Sequence, residues 1–359
     1  MAEPRVEAYA RLLVERSLNV QPGWQVLIRT TTLARPLLQE LVRLVGLRGA
    51  YAIVRMGWTI WPIDHVWASE APEELLGELP DIDRYACDHM DARITVEAPE
   101  NTREGAELAP ERLALVKRAE QTFFRRTMTD EIPWVGCQFP THALAQDAGL
   151  TLRQFEEVLY GACLIDWSSL AETMNRRVAH FDAAEQVRLV GPGTDLVLGL
   201  AGREGEVDDG RVNVPGGEFF FCPLEDSAEG MIEFSEFPAV YQGYEFSGIR
   251  LAFRGGEVVE ATAGTHEDAL ISILDRDEGA RRLGELGIGC NPGITRYMRN
   301  TLFDEKMDCT AHLALGQGYE KVGGLNVSSI HWDIVKDLRR DGRIELDGTV
   351  VQENGVWLI

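Results

Sequence analysis

Ser328-Ser329-Ile330-His331-Trp332-Asp333-Ile334 alternates polar and apolar residues in its second half. Alternate side chains of an extended strand share a face. His331 and Asp333 therefore point one way, and Ile330, Trp332 and Ile334 the other. Two upstream segments read in the same manner. Ala311-His312-Leu313-Ala314-Leu315-Gly316 groups His312 with Ala314 and Gly316. Leu283-Gly284-Glu285-Leu286-Gly287-Ile288-Gly289 groups Glu285 with Gly287 and Gly289, leaving Leu286 and Ile288 behind. Strands of this kind predict a sheet whose apolar face forms a core and whose other face carries acids and imidazoles. Small neighbours beside each ionisable residue leave room for an ion and its substrate. Carboxylate with imidazole is the donor mixture of hydrolytic zinc or cobalt sites.

Outward from these strands, the chain from 186 onward stays sheet-rich. Short alternating runs at 187–190, 195–200, 219–222, 248–253 and 258–263 are separated by Gly, Asp and Asn. Gly255-Gly256 and Asp209-Gly210 read as hairpin turns. A helix is expected over 266–274. The first half reads differently. An amphipathic helix carries Tyr9, Leu12, Leu13 and Leu18, and Gln21-Pro22-Gly23 turns into a strand at 25–29. A helix over 34–47 and a strand over 51–56 follow, a parallel strand–helix–strand unit. Further elements are a strand at 94–97, a helix over 110–119, and a helix over 152–163 with Thr151 as its N-cap. The fold class is thus α/β. An N-terminal α/β domain with a parallel sheet spans 1–185, and a sheet-rich metal-binding catalytic domain spans 186–359. A chain of 359 residues suits two domains.

A formal net charge of −23 argues against a nucleic-acid partner and against anchoring on anionic lipid. The six cysteines include no C-x-x-C pair, which fits reduced thiols. The first twenty residues lack the apolar core of a signal peptide, and no stretch is long enough to span a membrane. These features place the protein in the cytoplasm.

The candidate ligands are Glu218, Glu285, His312, His331 and Asp333. A catalytic zinc usually takes three protein ligands, so this set suits two divalent ions sharing a carboxylate. Two ions hold a water nucleophile and polarise a carbonyl together. Which of Glu218 and Glu285 bridges is open at this level. Tyr319, beyond the turn Gly316-Gln317-Gly318, is placed to donate to a tetrahedral oxyanion. Taken singly each residue has an ordinary explanation: an H-x-D is common on surfaces, Glu285 has Arg281 and Arg282 nearby, and Glu218 follows a Pro-Gly-Gly turn. His266, with Glu267 and Asp268 beside it, reads as ordinary chemistry of a helix start, and His65, His89, His142 and His180 have no partners at ligand spacing. Neither a G-x-S-x-G elbow nor an H-E-x-x-H helix is present. Gly287-Ile288-Gly289-Cys290-Asn291-Pro292-Gly293 has the wrong glycine spacing for a dinucleotide loop.

In ordered blocks, the sequence resembles the thermophilic-type metalloaminopeptidases, peptidase family M29. The blocks are Asn213-Val214-Pro215-Gly216-Gly217-Glu218, then Gly284 to Gly293, then Asp304-Glu305-Lys306 leading to His312–Gly316 and Tyr319, and last Gly323-Gly324-Leu325-Asn326 with Ser328 to Asp333. Tyr9-Ala10, Gln21-Pro22-Gly23 and Phe139-Pro140-Thr141 extend the likeness into the first half. The resemblance implies hydrolysis of N-terminal residues from peptides with a free N-terminus. It implies two divalent ions, zinc or cobalt, held by Glu218, Glu285, His312, His331 and Asp333. It further implies Tyr319 and Glu285 as catalytic groups, and a homodimer. Asp308-Cys309 stands where the family pattern has glycines, and Cys309 reads as a buried thiol. Ring-cleaving non-haem iron dioxygenases on the same scaffold are the rival, since His312, His331 and Asp333 imitate a two-His-one-carboxylate iron site. A non-catalytic peptide-binding protein is a third reading.

Overall fold

The computed structural model describes residues 3–129 and 131–359. The chain forms two compact units. One comprises residues up to Leu164 together with Gly210–Pro215, the other Ile165–Asp209 together with Gly216–Ile359.

The first unit is built on a five-stranded sheet in the order Tyr51–Gly57, Gln25–Thr31, Ala92–Glu97, Trp134–Gln138, Asn213–Val214. Every neighbouring pair is parallel. Parallel neighbours need a crossover, and helix Arg35–Leu47 supplies the first. Its Leu37, Leu38, Leu41, Leu44 and Val45 are buried, the spacing of a one-faced helix. Thr151 caps helix Leu152–Cys163 in a full capping box with Gln154. Helix Pro110–Met128 is nine residues longer than the pattern at 110–119 suggests. Strand Trp134–Gln138 has too few alternating positions to be seen beforehand.

The second unit holds two antiparallel sheets. An eight-stranded sheet runs Glu257–Thr262, Ile249–Arg254, Glu229–Phe234, Thr194–Gly199, Gln186–Gly191, Arg343–Leu346, Thr349–Glu353, Val356–Trp357. A five-stranded sheet runs His331–Asp337, Thr310–Gly316, Leu283–Gly289, Glu218–Phe221, Glu206–Asp208. One apolar cluster unites them. Leu286, Ile288, Leu313, Leu315, Trp332 and Ile334 enter it from the smaller sheet, and Val187, Leu189, Leu196, Ile232, Leu251 and Ile344 from the larger. Each such side chain contributes about 1.5–3 kcal/mol on burial.

Three local readings differ from the sequence expectation. Helix Trp167–Asp182 falls in the second unit although a boundary near 185 would leave it in the first. Its Met174, Val178 and Phe181 enter the second unit's core, and Phe181 packs on Phe219 and Phe221. Asp209-Gly210 is no hairpin, because Asn213–Val214 pairs in parallel with Trp134–Gln138 in the first unit. Gly255-Gly256 does join an antiparallel pair, with both glycines at positive φ. The third concerns Ser328 and Ser329, which precede the strand His331–Asp337. Asp277 accepts hydrogen bonds from both. All six cysteines are buried and stand outside any disulfide. Cys309 lies at φ +63°, the left-handed region that glycine tolerates best, and its thiol donates to the Gly355 carbonyl. Among the described residues no helix is long and apolar enough to cross a membrane.

Candidate active site

The smaller sheet of the second unit carries the site. Across its antiparallel ladders Gly289 faces Glu218, Gly287 faces His312, Glu285 faces Ala314, Ala314 faces Asp333 and Gly316 faces His331. Residues directly opposite share a face, so the register gathers Glu218, Glu285, His312, His331 and Asp333 on one side. The alternate residues line the core. The space beside Glu285 is used differently from expectation: a methyl group on Gly287 would sit 2.0 Å from the His312 ring. Gly287 therefore makes room for an imidazole.

The loops entering the strands fix the side chains. Gly217, at φ +107°, passes so close to Asn291 that a Cβ there would be 2.7 Å from the Asn291 Cβ. The Asn291 amide donates to the Gly216 carbonyl, securing the turn into Glu218. Before His331, Ser328 and Ser329 are tied to Asp277. Against the upward push of burial, these hydrogen bonds hold the Asp277 carboxyl down to about 2. Nδ1 of His331 donates to the Gln317 carbonyl at 2.9 Å, which turns Nε2 toward the acids.

Nε2 of His312 lies 3.2 Å from Oε1 of Glu285 and 3.4 Å from Oε2 of Glu218. Nε2 of His331 lies 3.5 Å from Oε2 of Glu285 and 3.5 Å from Oδ2 of Asp333. The two oxygens of Glu285 thus serve two different imidazoles. Glu218, Glu285 and His312 offer ligand atoms within 4.8 Å of one another, as do Glu285, His331 and Asp333. Glu285 is the member common to both sets. A third set at the same spacing comprises Glu305, His312 and Asp333. Sequence reasoning did not place Glu305 in the site. It follows helix Thr301–Asp304 in an irregular segment, where no periodicity tells which way a side chain points. Lys306, completely buried at 0% exposure, lies 3.0 Å from Oε1 of Glu218 and also bonds Glu305.

The electrostatics follow from crowding acids and imidazoles in a dry place. Burial disfavours charged His312. The hydrogen bond to Glu285 and the charges of Glu218, Glu285 and Asp333 outweigh it, raising the imidazole to about 9. His331 is raised to about 10, as Asp333 and Glu285 overcome burial. Burial tends to raise Asp333, but His331 brings it down to about 2. Burial pushes Glu305 up to about 8 and also raises Glu285. Burial, with the charges of Glu285 and Asp333, keeps the Tyr319 phenol well above its ordinary range, so it is a donor at every working pH. Its hydroxyl lies 3.4 Å from Nε2 of His331, and its ring packs on Phe220.

Oε2 of Glu218, Oδ1 of Asp333 and Nδ1 of His312 are buried without a hydrogen-bond partner. Unpaired buried polar atoms are costly. Oxygen donors turned inward beside imidazoles are what a borderline divalent cation binds. The donor set therefore fits divalent ions.

The family model described as "Thermophilic metalloprotease (M29)" matches residues 2–357. This chain belongs to the M29 metalloproteases. Curated relatives of this M29 protein include Aminopeptidase 2 of Geobacillus stearothermophilus, 27% identical over 95% of this chain and 94% of that protein. Aminopeptidase T of Thermus aquaticus is 30% identical over 70% of this chain and 73% of that protein. The solved structure of wild-type AmpT from Thermus thermophilus superposes on the M29 chain with a TM-score of 0.84, at 26% identity over 99% of each. The structure of 2,5-dihydroxypyridine dioxygenase from Pseudomonas putida gives a TM-score of 0.59 at 13% identity, over 99% of this chain and 96% of that one. That likeness is one of fold. As an M29 metalloprotease the protein is a metal-dependent hydrolase of peptides.

Proposed function

We propose that the protein is an aminopeptidase that removes N-terminal residues from unblocked peptides, using two divalent ions. The observation that carries the reading is Glu285, whose two oxygens face two imidazoles and which belongs to both donor sets. A carboxylate so placed would be shared by two ions, with Glu218 and His312 holding one and His331 and Asp333 the other. The names of the relatives support the exopeptidase activity. The ions, when bound, supply Lewis acidity to a water and to the scissile carbonyl.

The chain's own groups do the rest. Glu305, which neither ion position uses, is the carboxylate placed to take the proton of the attacking water and return it to the leaving amine nitrogen as the carbon–nitrogen bond breaks. Tyr319 donates its hydroxyl proton in a hydrogen bond to the carbonyl oxygen as that oxygen becomes negative. Zinc or cobalt suits the mixed oxygen and imidazole donors, the family resemblance carries a homodimer with it, and the cytoplasmic placement rests on the sequence reading of the N-terminus. The dioxygenase reading rests on a shared fold, whereas the site adds Glu218, Glu285 and Glu305 to the two-His-one-carboxylate trio.

The experiment is a set of peptides, each free or N-acetylated, offered to chelator-stripped enzyme resupplied with zinc, cobalt, manganese or ferrous iron. Metal-restored release of amino acid from the free peptides alone is expected. Equal cleavage of acetylated peptides, or oxygen uptake with ferrous iron and a dihydroxypyridine, overturns the assignment.

A further inference from the structure

Only four lysines occur in the chain, at 117, 306, 321 and 336, against many arginines. Two of them, Lys306 and Lys336, are wholly buried. Lys336 is bound by the Pro192 and Glu233 carbonyls and the Glu236 carboxylate, a self-contained structural pairing. Lys306 is different, because both of its carboxylate partners belong to the donor sets of the site.

We infer that Lys306 is a positioning residue that orients Glu218 for one of the two ions. The inference rests on the two-ion reading given above. Its ammonium holds Oε1 of Glu218 at 3.0 Å. The other oxygen, Oε2, is thereby turned toward His312, and it is the oxygen left buried without a hydrogen-bond partner. One oxygen is engaged by protein and one is presented. The same ammonium bonds Glu305, so a single cation fixes two carboxylates that would otherwise repel each other across a dry space. A compact ammonium with three donors suits this better than a planar guanidinium.

The lysine is itself rigidly mounted. Its amide donates to the Phe303 carbonyl and its carbonyl accepts from the Asn291 amide, 2.9 Å away. Gly289, which faces Glu218 across the ladder, admits this segment: a Cβ there would meet the Met307 carbonyl oxygen at 2.1 Å. The ion position served by Glu218, Glu285 and His312 thus depends on Lys306. Among the described residues its ammonium makes no hydrogen bond or ion pair with His331 or Asp333, the residues that complete the other position, and reaches Asp333 only through its charge.

Groups that orient a ligand from behind it typically alter metal affinity by 10–100-fold. The test is the metal content of Lys306→Met by equilibrium dialysis against graded chelator, with the visible spectrum of the cobalt-loaded protein as a second readout. Unaltered protein is expected to hold two cobalt ions. Lys306→Met should keep one tightly and bind the other at least tenfold more weakly, with a matching loss of cobalt absorbance at limiting metal. Lys336→Met serves as control: it should lower thermal stability while both ions stay equally tight. If Lys306→Met does not fold, Lys306→Gln, which keeps a donor near Glu218 but loses the charge, is measured instead and should weaken the same ion position, by less than the methionine would; no weakening of either ion overturns the role of Lys306. Two ions bound with unchanged affinity in the substituted protein overturn the role of Lys306 and leave the two-ion reading intact. A single ion in the unaltered protein overturns both.

Discussion

The Tyr319 hydroxyl lies within hydrogen-bond distance of Nε2 of His331, at 3.4 Å, and its ring packs against Phe220. Removing only the hydroxyl leaves that packing in place. Tyr319→Phe is therefore expected to bind both ions normally and to lose about a hundredfold in kcat with little change in KM. Equal losses in metal content would mean that the phenol holds the site together and does not meet the oxyanion. His331→Ala removes a ligand donor and a partner of Asp333 together, so one ion and nearly all activity should go. His331 was legible in the sequence because it stands in a strand, where neighbours at two-residue spacing reveal its face, whereas Tyr319 lies in irregular chain beyond strand Thr310–Gly316 and was singled out by its place after the turn Gly316-Gln317-Gly318 and by the family resemblance. Glu305 and Lys306 stand in an irregular segment after a four-residue helix. Nothing in their local pattern distinguishes a site carboxylate and its counter-ion from solvated surface charges, and only the folded register brings them to Glu218.

Strand Leu283–Gly289 gives the complementary lesson. Its glycines read as empty space for an ion, yet the space at Gly287 belongs to the His312 ring. Periodicity assigns a face but does not say which neighbour fills a gap, since that depends on the ladder partner. The consequence is testable. In Gly287→Ala the added methyl must displace the imidazole, which is the free end of a side chain, while the apolar face beneath is untouched. The protein should fold with a thermal midpoint within a few degrees of the original, yet bind the ion at His312 at least tenfold more weakly. Retained affinity would show that the ring is not held where an ion needs it. Elsewhere in the chain, elements with a strong apolar period were legible, as with Arg35–Leu47. Elements defined by long-range pairing were not, as with Asn213–Val214, a two-residue strand that exists only because Trp134–Gln138 lies beside it.

With a net charge of −23 and a buried cluster of Glu218, Glu285, Glu305 and Asp333 around two imidazoles and Lys306, the protein gathers negative charge both outside and within. This gives its stability without ions a defined pH dependence. His312 and His331 are raised to about 9 and about 10 in the fold, and Glu305 and Asp304 to about 8 and about 7, the acids by burial and the imidazoles by the acids. A group whose pKa is raised on folding stabilises fully below its unfolded value, and that contribution is lost as pH climbs through the folded value. The two imidazoles therefore lose their contributions between about pH 6.5 and 10 and Glu305 the last of its own by about pH 8, all in the same direction, whereas that of Asp304 is already lost by about pH 7. Asp333 and Asp277, both lowered to about 2, lose their contributions only in acid and do not oppose them. The thermal midpoint of chelator-treated protein should fall steadily from pH 7 to 10. Metal ligands must shed their protons to bind, so ion-loaded protein should show a much flatter profile, and the gap between the two curves should widen with pH. Scanning calorimetry of both forms across that range decides the matter. A midpoint for the stripped protein that is flat or rises toward pH 10 would mean that the imidazoles are not held protonated by the surrounding acids, and that the charge balance of the site is set elsewhere.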